Sequence, residues 1–290
     1  MQTQTFAART ILAFAGLALA APAGHSALNY TDGDLLLAFR ASGGTGSASN
    51  YVVNLGTAVA FTNLAPGAVL QLDTELGNIK ADLDALYGAT WQTRADFFWS
   101  VSGVQKTAGD GFAINTMFAT NSQTGTLTIG IQGSTAWTRP NAFTAGAPAG
   151  KLQAFGERFK LGDGDASPTG SVESLNSAFA LTQAAGGPNA INTYSTYMPG
   201  GANTTGAVAF GYFDGASTIE GGFGGGTGGV VLDLYTVPTG SGPSNFEGTF
   251  TMSNNGTVTF TSAVPEPSSI AALTIGAAVL AGMRRRKINP

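Results

Sequence analysis

Short apolar runs separated by glycine- and serine-rich turns dominate the middle of the chain. This pattern is typical of β-strands joined by tight loops. It predicts strands over 35–40, 96–101, 113–119, 126–132, 207–213, 230–237, 246–252 and 257–261. The first of these runs is apolar at nearly every position, which indicates a central strand covered on both faces.

Turn residues between neighbouring strands predict two hairpins. One joins 113–119 to 126–132 through 121–125, and the other joins 246–252 to 257–261 through Ser-Asn-Asn-Gly at 253–256. The stretches 135–150 and 221–229, rich in glycine or proline, are predicted to be loops.

Helical periodicity occurs in two places. Over 72–86 the apolar residues recur every three or four positions: Leu72, Leu76, Ile79, Leu83 and Leu86. Asp73 or Thr74 is expected to cap this helix and Gly88 to end it. A second helix is predicted over 171–185, followed by Gly-Gly-Pro at 186–188.

The predicted elements favour one mainly β domain over 28–263. No repeat of fixed period and no sharp change of composition divides this region. We therefore expect a single β-sandwich-like domain with two packed α-helices.

Both ends of the chain differ from this body. At the N-terminus, Arg9 precedes an apolar stretch over 11–21 and then small residues, as in a secretory signal peptide. Cleavage is expected after Ala23 or Ala27, and we favour Ala27 because the folded pattern begins just beyond it. A signal peptide over 1–27 implies the Sec machinery and signal peptidase as partners.

The C-terminal region 264–290 has three parts. Val264, Pro265, Glu266 and Pro267 come first, then an uncharged stretch over 268–283, then Arg284, Arg285, Arg286 and Lys287. The prolines favour an extended backbone that a protease can reach. As a transmembrane helix, 268–283 would span about 24 Å, which is short for a hydrocarbon core of about 30 Å. The basic residues should stay cytoplasmic and direct the body outward.

This tail resembles the PEP-CTERM sorting signal of Gram-negative bacteria that make exopolysaccharide. The resemblance implies recognition by an exosortase, a membrane-embedded cysteine protease that cuts near the Pro-Glu-Pro triplet. The protein would then pass from the inner membrane to the cell surface or matrix. A similar region is also named after ice-binding proteins, a label that implies no activity. The runs 30–40 and 50–56 resemble the start of uncharacterised exported proteins with the same tail. The alternative is an anchor that is never cut.

Composition narrows the possible chemistry of the body. Charged residues make up only 10% of the chain, 42 residues are glycine and none is cysteine, which suits an exported β-rich protein without disulfides. Losing both ends removes five of 13 Lys and Arg and one of 17 Asp and Glu, leaving a net charge near −8. Nucleic acid is therefore an unfavourable partner.

The single histidine, His25, lies in the predicted signal peptide. A body without His or Cys excludes Ser-His-Asp and Cys-His catalysis and also zinc, iron or copper sites built on those ligands. We expect no cofactor. Only carboxylates, Lys, Tyr or cations bound by oxygen ligands are left to do chemistry.

Three candidate sites each have a structural alternative. Asp163, Asp165, Ser167 and Glu173 suggest a calcium loop, although Pro168 and Ser174 depart from the EF-hand pattern and an ordinary turn fits as well. Trp137, beside Arg139, could stack on a sugar or belong to the core. Alternating threonines over 249–261 fit an outward polar face, with ice binding as the alternative.

Two functions from different classes follow. The first is a non-catalytic surface or matrix protein associated with exopolysaccharide. The alternative is a secreted carboxylate-dependent glycoside hydrolase, since 16 acidic residues could supply the necessary pair. The hydrolase predicts two acids that face each other in a cleft.

Overall fold

The computed structural model of the chain describes residues 30–47, 49–72, 79–139, 142–160, 178–182, 194, 219–223 and 230–265. The strands are β1 (Asp34–Ala41), β2 (Ser49–Thr57), β3 (Val69–Gln71), β4 (Phe97–Gln105), β5 (Thr116–Ser122), β6 (Ala178–Thr182), β7 (Gly221–Gly222), β8 (Val231–Val237), β9 (Asn245–Met252) and β10 (Val258–Ser262). The helices are α1 (Val59–Thr62), α2 (Ile79–Tyr87) and α3 (Ala142–Lys160), with a 3₁₀ turn at Trp91–Thr93.

The ten described strands form one curled antiparallel sheet. Their order is β3-β10-β9-β8-β5-β4-β1-β2-β6, and β7 pairs with β4 off this path. The prediction of a mainly β body is thus confirmed, with one continuous sheet between the layers of side chains that cover its two faces.

Strand β1 lies inside the sheet, between β4 and β2, and is buried at all eight positions. Leu35, Leu37 and Phe39 belong to one core, whereas Leu36 and Ala38 belong to another. Successive side chains of a strand point to opposite faces, so two cores require cover on both sides. The predicted double burial of this strand is confirmed.

Helix α2 covers the first core. Ile79, Leu83 and Leu86 are buried there, as the spacing predicted, and the helix ends just before Gly88. Leu72 is not part of it, because its N–H donates to the carbonyl of Val258 beside β3. The predicted caps Asp73 and Thr74 lie outside the described residues.

Helix α3 covers the second core and corrects the predicted loop over 135–150. Leu152, Phe155 and Phe159 form its buried face. Gly156 is required where the helix meets Tyr30, since a Cβ there would lie 2.0 Å from the tyrosine ring. The glycines and Pro148 in the first half of the helix are typical of a loop, which is why composition alone was misleading.

Three other predicted elements need correction. Residues 126–132 form no strand, so the first hairpin is wrong. Ala178–Thr182, part of the predicted helix 171–185, is strand β6, which pairs with β2. Gly221–Gly222, at the start of the predicted loop, pairs with β4. The predicted strand 207–213 lies outside the described residues.

Within the described residues, no helix is both long and apolar enough to span a bilayer. The predicted membrane helix 268–283 and the predicted signal peptide 1–27 fall outside them.

Candidate sorting site at the end of the last strand

The hairpin of β9 and β10 brings the chain to its C-terminal tail. Its turn at 253–256 confirms the sequence prediction. Phe250 and Phe260 face each other across the hairpin, and Phe61 of α1 packs on both rings at centroid distances of 5.7 and 5.2 Å. These aromatic contacts fix the last strand to the first core.

The opposite face of the hairpin carries the alternating threonines. Thr249 pairs with Thr261 and Thr251 with Thr259, so the four side chains share one face. Thr249 is fully buried, and its hydroxyl accepts a hydrogen bond from the N–H of Gly130 at 2.9 Å. Part of this polar face is therefore covered by another segment of the chain.

Ser262, the last residue of β10, is held on the side of β3. Its N–H donates to the carbonyl of Ala68 at 2.9 Å, and its hydroxyl donates to the carbonyl of Ala65 at 2.5 Å. The N–H of Ala68 donates back to the same hydroxyl at 3.0 Å. The edge of the sheet is thereby closed around the end of the strand.

Two more residues are held beyond the strand. The N–H of Ala263 donates to the carbonyl of Glu247 at 2.9 Å, and that of Val264 donates to the carbonyl of Gly130 at 2.7 Å. Pro265 follows, exposed and without an N–H to donate. We call the segment 263–265 the exit, because the backbone changes there from held to exposed.

The segment 123–134, which we call the exit loop, takes the place of the predicted second strand. Its shape is set by the side chain of Gln123, which accepts from the N–H of Thr128 at 2.7 Å and donates to the carbonyl of Thr128 at 2.8 Å. An amide side chain thus provides the hydrogen bonds that a partner strand would have provided.

Asp233 of β8 fixes the other end of the exit loop. Its fully buried carboxylate accepts from the N–H groups of Gly133 and Ser134, from the Ser134 hydroxyl and from the amide of Gln123, all within 2.6–2.8 Å. Four donors compensate the burial of this charge. Sequence reasoning missed Asp233, because its donors lie about a hundred positions away along the chain.

Glu247 lies at an irregularity between β8 and β9, next to the exit. Burial raises the pKa of its carboxyl above the ordinary value. Since its own carbonyl holds Ala263, the charge state of this side chain bears on the part of the sheet that supports the exit.

Among the other predicted site residues, the structure describes Trp137. Trp137 is only 6% exposed and belongs to the second core, so its burial argues against sugar stacking. Asp163, Asp165, Ser167 and Glu173 lie outside the described residues, as do Glu266, Pro267 and the basic residues Arg284, Arg285, Arg286 and Lys287. In the described part of the chain, no group of three or more acidic or histidine side chains is placed to hold a metal.

A buried ion pair between Arg40 and Glu220 is a second feature that the sequence did not reveal. The guanidinium donates to both carboxylate oxygens at 2.5–3.1 Å, and both side chains are about 5% exposed. Burial lowers the pKa of Arg40, but the bond to Glu220 outweighs it and the net shift is upward. The partners are 180 positions apart, so no local pattern signals the pair.

Comparison with protein-family models finds one match. The model of the PEP-CTERM protein-sorting motif matches residues 263–287, and thus begins at the residue after β10. The chain carries a PEP-CTERM sorting motif. Neither the curated proteins nor the solved structures give a significant match to the chain.

The PEP-CTERM match confirms the resemblance drawn from the tail, and it supports an exported protein that is processed by an exosortase. The motif implies export and membrane-anchored transit before display at the cell surface. Exosortase is thus the partner that the motif implies. The match contains all of the predicted sorting residues, from Val264 through Lys287.

Proposed function

We propose that the chain is a non-catalytic protein of the cell surface or extracellular matrix, and that its body associates with exopolysaccharide after an exosortase removes the tail. The PEP-CTERM motif at 263–287 is the observation on which this depends. The exposed backbone of Pro265 and the held backbone of Val264 add a structural reason why the body survives the cut.

A cut at or after Pro265 leaves the folded sheet intact. The last hydrogen bond of the body is made by the N–H of Val264, and Pro265 has none to make. Cleavage within the triplet therefore removes no described hydrogen bond of β10 or of the exit. The body can be released in the same fold in which it was anchored.

The buried acids of the body favour a non-catalytic role. Asp233 is saturated by donors from the exit loop, Glu220 is paired with Arg40, and Asp82 accepts from the hydroxyl of Tyr51 at 2.7 Å. A glycosidase acid or nucleophile needs a carboxyl group that faces the substrate. These three carboxylates are instead engaged in holding the fold.

The mass of the protein extracted from the cell surface tests the processing. We expect a C-terminus near Pro265, Glu266 and Pro267 and a loss of the basic end. Replacing the triplet with three alanines should give an uncut protein that stays in the membrane fraction, whereas Glu157→Ala, a change at an exposed acid of α3, should be processed normally. An intact C-terminus on the surface protein would instead favour a permanent anchor.

Incubation with the exopolysaccharide of the host tests the role of the body. We expect the purified protein to sediment with the polymer without shortening it. Release of new reducing ends would support the glycoside hydrolase instead. If the protein neither binds nor cleaves the polymer, the proposed sorting still stands, but the proposed association with polysaccharide is wrong.

A further inference from the structure

Five large apolar side chains are exposed on the exit, on the exit loop and on the edge strand β3. They are Val69, Leu127, Ile129, Ile131 and Val264, with exposed fractions between 37% and 58%. We call this group the exit patch. Exposed apolar side chains that cluster mark surfaces that contact another apolar phase or partner.

The pairing of the edge strands and the position of Gly130 explain why Val69, Ile129, Ile131 and Val264 lie near one another. Val69 is directly opposite Thr261, so the two side chains point to the same face of the sheet. Gly130 lies on that face, where an added Cβ would be 3.1 Å from Val264 and 3.2 Å from the Thr261 methyl group. Ile129 and Ile131 flank Gly130 along the exit loop.

The segments that supply the exit patch carry no charge, and the acid beside the exit, Glu247, is half-buried. The segments 41–72, 111–138 and 248–265, which contain the whole patch, have no Asp, Glu, Lys or Arg. A body with a net charge near −8 is repelled by an anionic bilayer on average. An uncharged patch can approach an anionic bilayer without this electrostatic repulsion.

The length of chain beyond the exit limits how far the body can move from the membrane. Three residues, 265–267, separate the held Val264 from Ser268, the first residue of the uncharged stretch. The four Cα-to-Cα steps from Val264 to Ser268 span at most about 14 Å when fully extended. The headgroup layer on each side of a bilayer is roughly 5–8 Å thick. With the tail inserted, Val264 must therefore lie in or just outside the headgroups.

Building on the proposed function, we propose that the exit patch rests on the lipid headgroups at the outer surface of the inner membrane while the tail is inserted. This contact orients the body so that the Pro-Glu-Pro triplet enters the membrane surface directly. The patch leaves the bilayer when the tail is cut, because the neutral contact is too small to hold an acidic body alone.

Single cysteine variants of the full chain test the contact, since the natural chain has no cysteine. A polarity-sensitive fluorophore is attached to Ile129→Cys and, as the matched control, to Ile114→Cys. Ile129 is 57% exposed and Ile114 is 56% exposed. Ile114 lies just before the first residue of β5, whereas the exit loop follows its last residue. The probe is a vesicle of phosphatidylethanolamine with a minor fraction of phosphatidylglycerol. Headgroup spin-labelled lipid should quench the label at position 129 severalfold more than that at 114.

Flotation of the vesicles and a third variant make every outcome decisive. Val69→Cys should behave as Ile129→Cys does, and circular dichroism checks that each variant keeps its fold. If the chain floats and the labels at positions 69, 114 and 129 are quenched equally, the lipid contact of the exit patch is wrong, whereas anchoring in the membrane still stands. If the chain does not float, both the lipid contact and the anchoring in the membrane are wrong. Quenching that appears only after exosortase is added to the vesicles assigns the patch to the protease and overturns the lipid contact.

Discussion

Asp233 and Ser134 are joined by two hydrogen bonds to a single carboxylate oxygen, one from the N–H and one from the hydroxyl of the serine, each 2.7 Å long. The pair connects the centre of β8 to the exit loop. It thereby couples the middle of the sheet to the loop that holds Val264.

Asp233→Asn should lower the free energy of unfolding by about 1–3 kcal/mol. Both carboxylate oxygens accept, one from Gln123 and the other from Gly133 and Ser134. Whichever way the new amide turns, its NH₂ group faces a donor. Urea unfolding measures the loss. Asp110→Asn, at an exposed turn, should stay within about 0.5 kcal/mol of the wild type, and an equal loss in both variants would contradict the role of the buried carboxylate.

Gly130→Ala should destabilise the exit more than Gly125→Ala. Both glycines have positive φ, +73° and +84°, so alanine costs about 1–2 kcal/mol at either position. Only at Gly130 does the new Cβ meet Val264, Ser262 and Thr261, at 3.1–3.2 Å; at Gly125 nothing lies within 4 Å.

The excess cost at Gly130 should be about 1 kcal/mol, as for mild overpacking. Hydrogen exchange at the Val264 amide should also become faster in Gly130→Ala alone. If both variants lose the same stability and protect Val264 equally, the glycine contact does not support the exit.

Glu247→Gln should make the stability of the protein less sensitive to pH. Burial raises the pKa of Glu247 above its unfolded value of about 4.3, so the folded state binds the proton more tightly. This contribution is complete below the unfolded pKa and is lost as the pH rises through the folded pKa. Glutamine stays neutral throughout, so the Tm of the variant should exceed that of the wild type at neutral pH and approach it near pH 4. Glu157→Gln removes the same charge from an exposed site and serves as the control; a similar pH profile in both would indicate a general charge effect.

Glu220→Gln should cost about 3–5 kcal/mol, because it takes the carboxylate away from a buried guanidinium. The double variant Arg40→Met with Glu220→Leu removes both charges and should recover most of this loss. Chemical denaturation of the three proteins measures the difference. A double variant as unstable as the single one would show that the pair contributes more than charge compensation.

The strands and the helix whose apolar residues follow directly from burial are predictable from the sequence. β1, β8, β9 and β10 lie where apolar runs predicted them, and α2 uses three of the five apolar positions assigned to it. The sorting signal is predictable from the sequence because its motif is local, with every part contiguous in the chain.

The errors arose where contacts distant in sequence override the local pattern. Residues 126–132 alternate like a strand, but the amide of Gln123 and the carboxylate of Asp233 hold the segment as a loop. Residues 178–182 have a helical spacing yet pair with β2. The hydrogen bond between Val264 and Gly130 and the ion pair between Arg40 and Glu220 join residues far apart in the chain. No local sequence pattern signals either contact, so the geometry of the exit is visible only in the structure.

The position of β3 at the sheet edge has a consequence for the order of events during export. Among the described strands it pairs with β10 alone, although Ala68 and Ser262 are 194 positions apart. A strand that leaves the ribosome early must therefore wait for the final one before it can join the sheet. Since the sorting motif begins one residue after β10, maturation of this edge and arrival of the anchor nearly coincide, and a chain that reaches the protease has just acquired its last strand.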